Sequence, residues 1–485
     1  MKLHDITERI KITSVKGNAD RDITAIVFDS RKVVPGCLFV AVRGTKTDGH
    51  NYLGMAAREG AAAVLCETAP EVLEKDVCIL VTPDTALALG LAASAFHGYP
   101  SESLNLVGVT GTNGKTTIAT LLFRVFRKLG YKCGLFSTVC NYVEDKVLPA
   151  THTTPDPVQL NMLLAEMLVH GCDYVFMEVS SHSVDQKRIA GLKFRGGIFT
   201  NLTHDHLDYH KTFDNYLKAK KTFFDSLPGD AFALTNIDDR NGRVMIQNCK
   251  AACHTYSRRS KADFRASIIE QGFEGMGIRI DKEEVWTRFI GDFNVSNLLA
   301  VYGSSILLGA DRKEVLTILS DLHPVEGRLE SVRTDGNITG LVDYAHTPDA
   351  LLNVIDTINK IRQGGRKLIT VVGAGGDRDR TKRPVMAEIS ARGSDKVILT
   401  SDNPRSEEPE AILDDMEAGV SPELRKKVLR IADRREAIKA AVMLAGDGDV
   451  ILVAGKGHET YQEVKGVRHH FDDREELGKA LLMKI

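Results

Sequence analysis

The stretch "LNLVGVTGTNGKTTIATLLFRVFRKL", residues 104–129, joins an apolar run to a Gly-rich loop and then to a helix-spaced pattern. Ile118, Leu121, Leu122, Val125, Phe126 and Leu129 fall at i, i+3, i+4, i+7, i+8 and i+11, one face of an amphipathic helix. Strand, loop and helix in that order predict a phosphate-binding turn. Gly111, Thr112, Asn113, Gly114, Lys115 and Thr116, followed by Thr117, form a relative of G-x-x-x-x-G-K-[ST] that is two spacers shorter when Gly111 is the first glycine. Counted from Gly108, Asn113 stands where the second glycine belongs. Backbone N–H groups at the helix start, the helix dipole and Lys115 suit a triphosphate, and the Thr116 hydroxyl suits Mg2+. A plain Gly-rich turn capped by Thr is the competing reading, and the correct flanks on both sides weigh against it.

Downstream, strand-like runs recur at "YVFMEVS" (174–180), "GGIFTNL" (196–202) and "AFALTNID" (231–238), separated by helical lengths, as in a parallel sheet. The first ends at Glu178; the second leads into His204, Asp205, His206, Asp208 and His210. A hard cation bridging phosphate oxygens wants carboxylates with an occasional imidazole, so Glu178 with His206 suits Mg2+ or Mn2+. Three histidines also raise a zinc hydrolase, but their i, i+2, i+6 spacing matches no closed zinc pattern. Alone, the segment would read as solvated histidines in a turn.

Upstream, "CLFVAV" and "MAAREGAAAVLCE" suggest a small α/β unit, ended by the connector "HGYPSES". After "HPVEGRLE" (323–330) a second alternation begins, with strands at "GLVDYA", "KLITVVGAGGDRD", "DKVILTSDNPR" and "DVILVAGKGHE". Ligands of open parallel sheets bind at the strands' carboxyl ends, so these polar loops should share one edge. Three α/β domains are expected, at 1–98, 99–330 and 331–485.

Of 485 residues, 63 are Lys or Arg and 65 Asp or Glu, a balance that suggests neither a nucleic-acid footprint nor a polybasic membrane anchor. "MKLHDITERI" lacks a signal-peptide core, and "ALALGLAASAF" is too short to span a bilayer, so a cytoplasmic protein is expected. The eight cysteines, mostly in apolar contexts, read as reduced core residues. Cys249, Cys253 and His254 have no second ligand pair, which argues against zinc there.

With these residues together, the chain resembles the Mur ligases, ATP-dependent amide-forming enzymes of peptidoglycan synthesis, and among them those adding the third peptide residue. The resemblance covers essentially the whole chain: "FDSR" and "TDGHNY", then "GTNGKTT", "HTTPD", "EVSSH" and "THDHLDYH", then "EGRLE", "DYAHTPDAL", "GAGGDRD", "DNPR" and "AGKGHE". It implies a small N-terminal UDP-binding domain, a central P-loop-type parallel-sheet ATPase domain and a C-terminal Rossmann-like α/β domain. It gives Lys115 and Thr116 to phosphate and Mg2+, and Glu178 and His206 to the metal, with two ions expected. A lysine carbamylated by CO2 would bridge the second ion. In "NYLKAKK" that is Lys220, four residues after Tyr216, with Lys218 and Lys221 close by. Lysine becomes an anionic oxygen ligand only through that reaction.

The resemblance further assigns Phe28, Ser30, Thr45, Lys46 and Thr47 to the nucleotide sugar, and Thr153, Thr154, Ser180, Gln186 and Arg188 to the muramoyl dipeptide. His152 stands where some relatives carry Asn. Arg328 and Asp343 would close over ATP, and Asn294 would meet adenine. The implied reaction transfers the γ-phosphate of ATP to the D-Glu side-chain carboxylate; an amine then attacks the acyl phosphate, which closure of the domains about 323–330 would shield from water. A monomer with small-molecule substrates only is expected. The added amino acid is meso-diaminopimelate or L-lysine, which differ by one distal carboxylate. Asp402, Asn403, Pro404 and Arg405 match the diaminopimelate pattern, with Arg378, Gly455 and Glu459 at the other substrate positions. Arg405 is the natural reader of that carboxylate, and the others at the same end would hold its amino and carboxyl groups. A lysine-adding ligase and a folylpolyglutamate-synthase-like ligase are the alternatives. A solvated type I turn with Pro404 central is the bland one.

Overall fold

The computed structural model describes residues 1–485 except 45–46, 72–75, 151, 204, 333–335, 363–364 and 485. Three sheets follow one another along the chain. The first runs in the order Ser14–Lys16, Cys78–Val81, Ala63–Cys66, Leu38–Val40, Ile26–Val27, with only its first pairing antiparallel. The Ala-rich helix Thr85–Phe96 covers one face of it, burying Ala88, Leu89 and Ala92 against Leu38 and Val40.

The middle sheet has a parallel centre ordered Ala252–Ser257, Phe232–Asn236, Gly196–Phe199, Asn105–Thr110, Tyr174–Glu178, Cys133–Phe136. Val107 and Val109 are buried within it, and the helix Lys115–Lys128 lays Ile118, Leu121, Leu122, Val125 and Phe126 on the same core. Each such side chain contributes about 1.5 to 3 kcal/mol on leaving water, which is why the apolar face, not helix propensity, fixes the element. Beyond the parallel centre the sheet carries antiparallel extensions that the strand–helix alternation does not reveal. Cys140–Val143 and Lys146–Pro149 continue one edge; at the other, Phe264–Gly272 joins Ala252–Ser257 in parallel and then carries Gly275–Ile280 and Glu283–Thr287 antiparallel. These strands are joined by tight turns instead of helices, one of them with Asp281 at φ 52°.

The third sheet is ordered Glu330–Val332, Thr339–Asp343, Val450–Ala454, Leu368–Ala374, Lys396–Ser401, Val428–Arg430, parallel apart from the first strand. A hairpin, Tyr461–Val464 with Val467–His470, stands off its carboxyl edge. The last two parallel sheets present their carboxyl-end loops to a shared cavity. Asn113 Nδ2 donates to Asp349 Oδ2 (3.0 Å) and Arg328 Nη2 to Thr116 Oγ1 (3.1 Å), tying the phosphate loop to the third unit. Farther out, Asp292 pairs with Lys360 at 3.1 Å.

Candidate functional site

Two glycines shape the loop after the strand Asn105–Thr110. Gly111 (φ 151°) passes so close to Thr200 that a Cβ would collide with its Oγ1, and Gly114 (φ 90°) leaves a Cβ only 2.6 Å from Asn297 Oδ1. The loop is pinned by "FTNL": Thr112 N donates to Asn201 O (2.8 Å), Asn113 N to Asn201 Oδ1 (2.9 Å) and Thr200 Oγ1 to Asn113 O (2.6 Å). The N–H groups of Thr112 and Asn113 are therefore spent inside the protein, which narrows the expected backbone cradle to the helix start. There Gly114 provides no side-chain cap, leaving the first-turn N–H groups of a 14-residue helix for an anion.

Two amines converge on one carbonyl. Lys115 Nζ donates to Gly111 O (3.0 Å) and Thr112 O (2.8 Å), and Lys220 Nζ donates to the same Gly111 O (2.8 Å) with its amine over the Tyr216 ring. Burial pulls the Lys115 amine down, partly opposed by Glu178 and Asp205. Burial and then repulsion from Lys115 hold Lys220 well below the usual lysine range. The helix Phe213–Asp225 places Lys220 here because Tyr216, Ala219, Lys220, Phe223 and Phe224 form its buried face. Arg328 adds a third cation, with its Nε buried and unpartnered among the described residues.

Glu178 ends its strand buried, its Oε1 accepting from Thr138 N at 2.7 Å, and Thr154 Oγ1 donates to Glu178 O at 2.8 Å. His206 takes φ 55° and sets Nε2 3.4 Å from Asp205 Oδ2. Burial lowers the His206 imidazole despite Asp205, so the ring is neutral near pH 7 and free to act as a ligand. His204 lies outside the described residues. Among the described residues no three His, Cys, Asp or Glu side chains form a ready-made metal cage.

A cavity of about 1000 Å3 gathers most of the expected residues. It is lined from Thr112 to Thr116, by Thr153, Thr154, Glu178, Ser180, Arg188, His206 and Lys220, and from the third unit by Arg328, Arg378, Asp402, Asn403, Arg405, Gly455 and Glu459. His152 lines it too. Gln186 stands one step behind, its Oε1 accepting from Arg188 Nε and Nη2 (3.0 and 2.7 Å). Gly111, Thr117, Asn294, Asp343 and Pro404 are outside the lining. Asn294 is buried and donates to Ile290 O, and Asp343 accepts from Leu329 N at 2.6 Å while burial pushes its carboxyl up to about 6. Phe28, Ser30 and Thr47 lie in the first unit, away from the cavity; Thr45 and Lys46 fall outside the described residues.

The amino-acid end is already bonded. Asn403 Nδ2 donates to Glu459 Oε2 (2.7 Å), and its Oδ1 accepts from Glu463 N (2.9 Å) and Lys456 Nζ (3.2 Å). Arg405, at φ 53°, donates Nη1 to Gly376 O (2.7 Å) and pairs its backbone with the hairpin at Glu463 and Lys465. Pro404 is not central to a type I turn. Its carbonyl instead accepts from Glu407 N, and the hairpin, which the sequence reading passed over, sets the loop's conformation. Lys456 was also missed: fully buried between two glycines, it lies 3.7 Å from Asp402 Oδ1 and 3.5 Å from Glu459 Oε2. Its only sequence signal is a lysine at the end of an apolar strand. Lys382, His346 and His182 line the cavity as further unpredicted residues.

Comparison with known proteins points the same way. Family models describe residues 22–97 as "Mur ligase family, catalytic domain", 109–305 as "Mur ligase middle domain" and 327–457 as "Mur ligase, glutamate ligase domain". The UDP-N-acetylmuramoyl-L-alanyl-D-glutamate–2,6-diaminopimelate ligase of Bacteroides fragilis is 58% identical over 485 residues, 100% of each chain. A solved structure of a ligase of the same name is 33% identical with a TM-score of 0.72, covering 100% of this chain and 99% of that one. The MurF ligase of Thermotoga maritima in complex with ADP shares the fold at 18% identity and a TM-score of 0.62, over 95% of this chain and 98% of its own.

Proposed function

The chain belongs to the Mur ligase family, an ATP-dependent ligase family, and from that premise we propose how its cavity joins 2,6-diaminopimelate to UDP-N-acetylmuramoyl-L-alanyl-D-glutamate. The observation that carries the reading is that the phosphate loop and the Asp402–Arg405 loop open on one cavity, which Thr153, Thr154, Ser180 and Arg188, the residues proposed for the dipeptide, also line.

The helix start at Gly114 to Thr116, with Lys115, holds the triphosphate, and Arg328 reaches over it from the third unit. The D-glutamyl carboxylate sits beside the γ-phosphate, so two anions must be held together while charge moves from one to the other. Lys115, already desolvated, lowers that barrier electrostatically. The carboxylate oxygen takes the γ-phosphoryl group as the β–γ P–O bond breaks and ADP leaves; the uncharged amine of diaminopimelate then attacks the carbonyl carbon of the acyl phosphate, inorganic phosphate leaves, and the nitrogen gives up a proton to become the amide. Arg405 and Arg378 receive the distal carboxylate; Asp402, Asn403, Glu459 and the Gly455 backbone receive the neighbouring amino group. Lysine lacks that carboxylate and leaves Arg405 unpaired, a penalty of about 2 to 5 kcal/mol. This favours diaminopimelate over the lysine-adding and folylpolyglutamate-synthase-like alternatives.

Thr116, Glu178, His206 and Lys220 would hold Mg2+, with two ions the working number. When bound, the metal neutralises phosphate charge. The donor set fits once Lys220 carries a carbamate: an amine is no ligand for a hard cation, whereas burial and Lys115 disfavour the charged form of the Lys220 amine and so favour the form that reacts with CO2. Arg328, Asp343 and Asn294 belong to the ATP side, and Phe28, Ser30, Thr47 and the segment around them to the uridine side. The sequence divides the domains at 1–98, 99–330 and 331–485, except that Arg328 and Glu330 already stand with the third sheet, which moves the last boundary to just before Arg328. We infer a cytoplasmic monomer; among the described residues no helix is long and apolar enough to cross a membrane.

The test supplies ATP, the nucleotide dipeptide and either amino acid, and follows phosphate release together with the product mass. A diaminopimelate-sized mass gain with little lysine product is expected; preferential lysine addition would refute the assignment. Carbamylation is read separately, as a 13C carbamate resonance in 13C-bicarbonate that is lost in Lys220→Gln.

A further inference from the structure

Beneath the floor of the amino-acid end, Lys456 stands within reach of all three polar side chains of the proposed amino-group site, Asp402, Asn403 and Glu459. Its Nζ lies 3.2 Å from Asn403 Oδ1, 3.5 Å from Glu459 Oε2 and 3.7 Å from Asp402 Oδ1, and none of its side chain is exposed. It does not line the cavity, so it acts on substrate only through those neighbours. We infer that Lys456 is a positioning residue for diaminopimelate, cancelling one of the two carboxylate charges of Asp402 and Glu459 and leaving one net negative charge for one ammonium group.

The surrounding charges are consistent with this count. Arg434, also fully buried, is neutralised by Asp473 at 2.7 Å, and its Nη2 donates to Ala454 O, so it holds the strand end without altering the balance. Arg405 and Lys382 approach Asp402 from the loop and from the helix Lys382–Gly393, and His346 and His458 are held neutral by burial. Tyr344 approaches Glu459, its OH 3.5 Å from Oε1, and Tyr461 stacks near Lys456. Burial raises the Asp402 carboxyl, but Lys456, Arg434 and Arg405 more than offset it. Glu459 is pushed up by burial and by Asp402. Without Lys456 the pair would take up a proton more readily, and that proton would occupy an acceptor needed by the ammonium.

This inference rests on reading this end as the amino-acid site. The experiment measures kcat and KM for all three substrates on the full enzyme carrying Lys456→Met, alongside Lys456→Arg. Expected for Lys456→Met is a KM for diaminopimelate raised about tenfold near pH 7 and falling as pH rises from about 6 to about 8. The other two KM values should stay within about twofold, the wild type flat over that range and Lys456→Arg close to it. A parallel rise of all three KM values, or an unchanged pH profile, overturns the assignment. If Lys456→Met does not fold, Lys456→Met/Glu459→Gln, which restores the charge count, replaces it. A pH-flat KM for diaminopimelate then supports the role, and a pH-dependent one removes it. Failure of the wild type itself to use diaminopimelate would instead refute the functional reading.

Discussion

The two ends of the cavity solve opposite electrostatic problems. At the phosphate end, half-buried Lys115 and buried Lys220 donate to backbone carbonyls, and both share Gly111 O. At the amino-acid end, Lys456, Asp402, Asn403 and Glu459 already satisfy one another. One end is left short of anions that the substrates bring; the other is completed in advance and admits only a partner of matching charge. Desolvated amines whose charge is only partly answered cost stability, whereas a closed network contributes it and adds selectivity.

The largest expected effect breaks the phosphate end. Lys115→Met should lower kcat by about a thousandfold or more, because the charge that stabilises the transferring phosphoryl group is gone. In the free protein the same change should leave the melting temperature unchanged or raise it, since a desolvated amine is replaced by an apolar chain of similar length. A drop of several degrees would show that Lys115 stabilises the free protein and would remove the contrast between the two ends.

Next is Arg405→Ala. Diaminopimelate kcat/KM should fall by about 30-fold to several thousandfold, equivalent to about 2 to 5 kcal/mol, with ATP and nucleotide-sugar binding retained and any lysine activity little altered. Equal loss for all three substrates would remove Arg405 from the distal-carboxylate role.

A smaller effect tests how the loop is held. Arg383, none of whose side chain is exposed, ties Glu407 (2.7 Å) and Asp415 (2.8 Å) to the loop after Ala374. Arg383 and the Asp377 N–H hold the Glu407 carboxyl at about 2 against an ordinary 4.5. A lowered carboxylate contributes stability above its unfolded value and loses it as pH falls toward the folded one. Glu407→Gln should therefore cost about 2 to 3 kcal/mol in urea unfolding near pH 7, with the gap narrowing below about pH 4.5. A pH-independent gap would assign the loss to packing. The smallest effect is that of Asp292→Asn, which breaks pairs to Arg258 and Lys360 at a partly solvated boundary. About 1 kcal/mol or less is expected, shrinking further in high salt, and kcat should hardly move.

Much of this was legible because local chemistry and local geometry agree. The segment 104–129 carries strand, Gly turn and helix in consecutive residues, and Arg405 is flanked by the residues that identify its loop. Lys456 was not legible, because its partners Asp402 and Asn403 are more than 50 residues away and meet it only where the strands Lys396–Ser401 and Val450–Ala454, on either side of Leu368–Ala374, end at the same sheet edge. Nor did the sequence reading find the antiparallel edges of the middle sheet, or the hairpin whose Glu463 and Lys465 fix the backbone of Arg405. Pairing across a sheet leaves no fixed spacing along the chain.

By itself the sequence determined the family, the order of the α/β units and the residue types at both ends of the cavity, since each lies in a short motif with its own chemical logic. Only the tertiary structure decided which charges are already answered. It spends the N–H groups of Thr112 and Asn113 on Asn201, sets Lys115 and Lys220 on one carbonyl, and buries Lys456 between two carboxylates. Charge and hydrogen-bond balance depends on distance and burial, and those are properties of the folded chain.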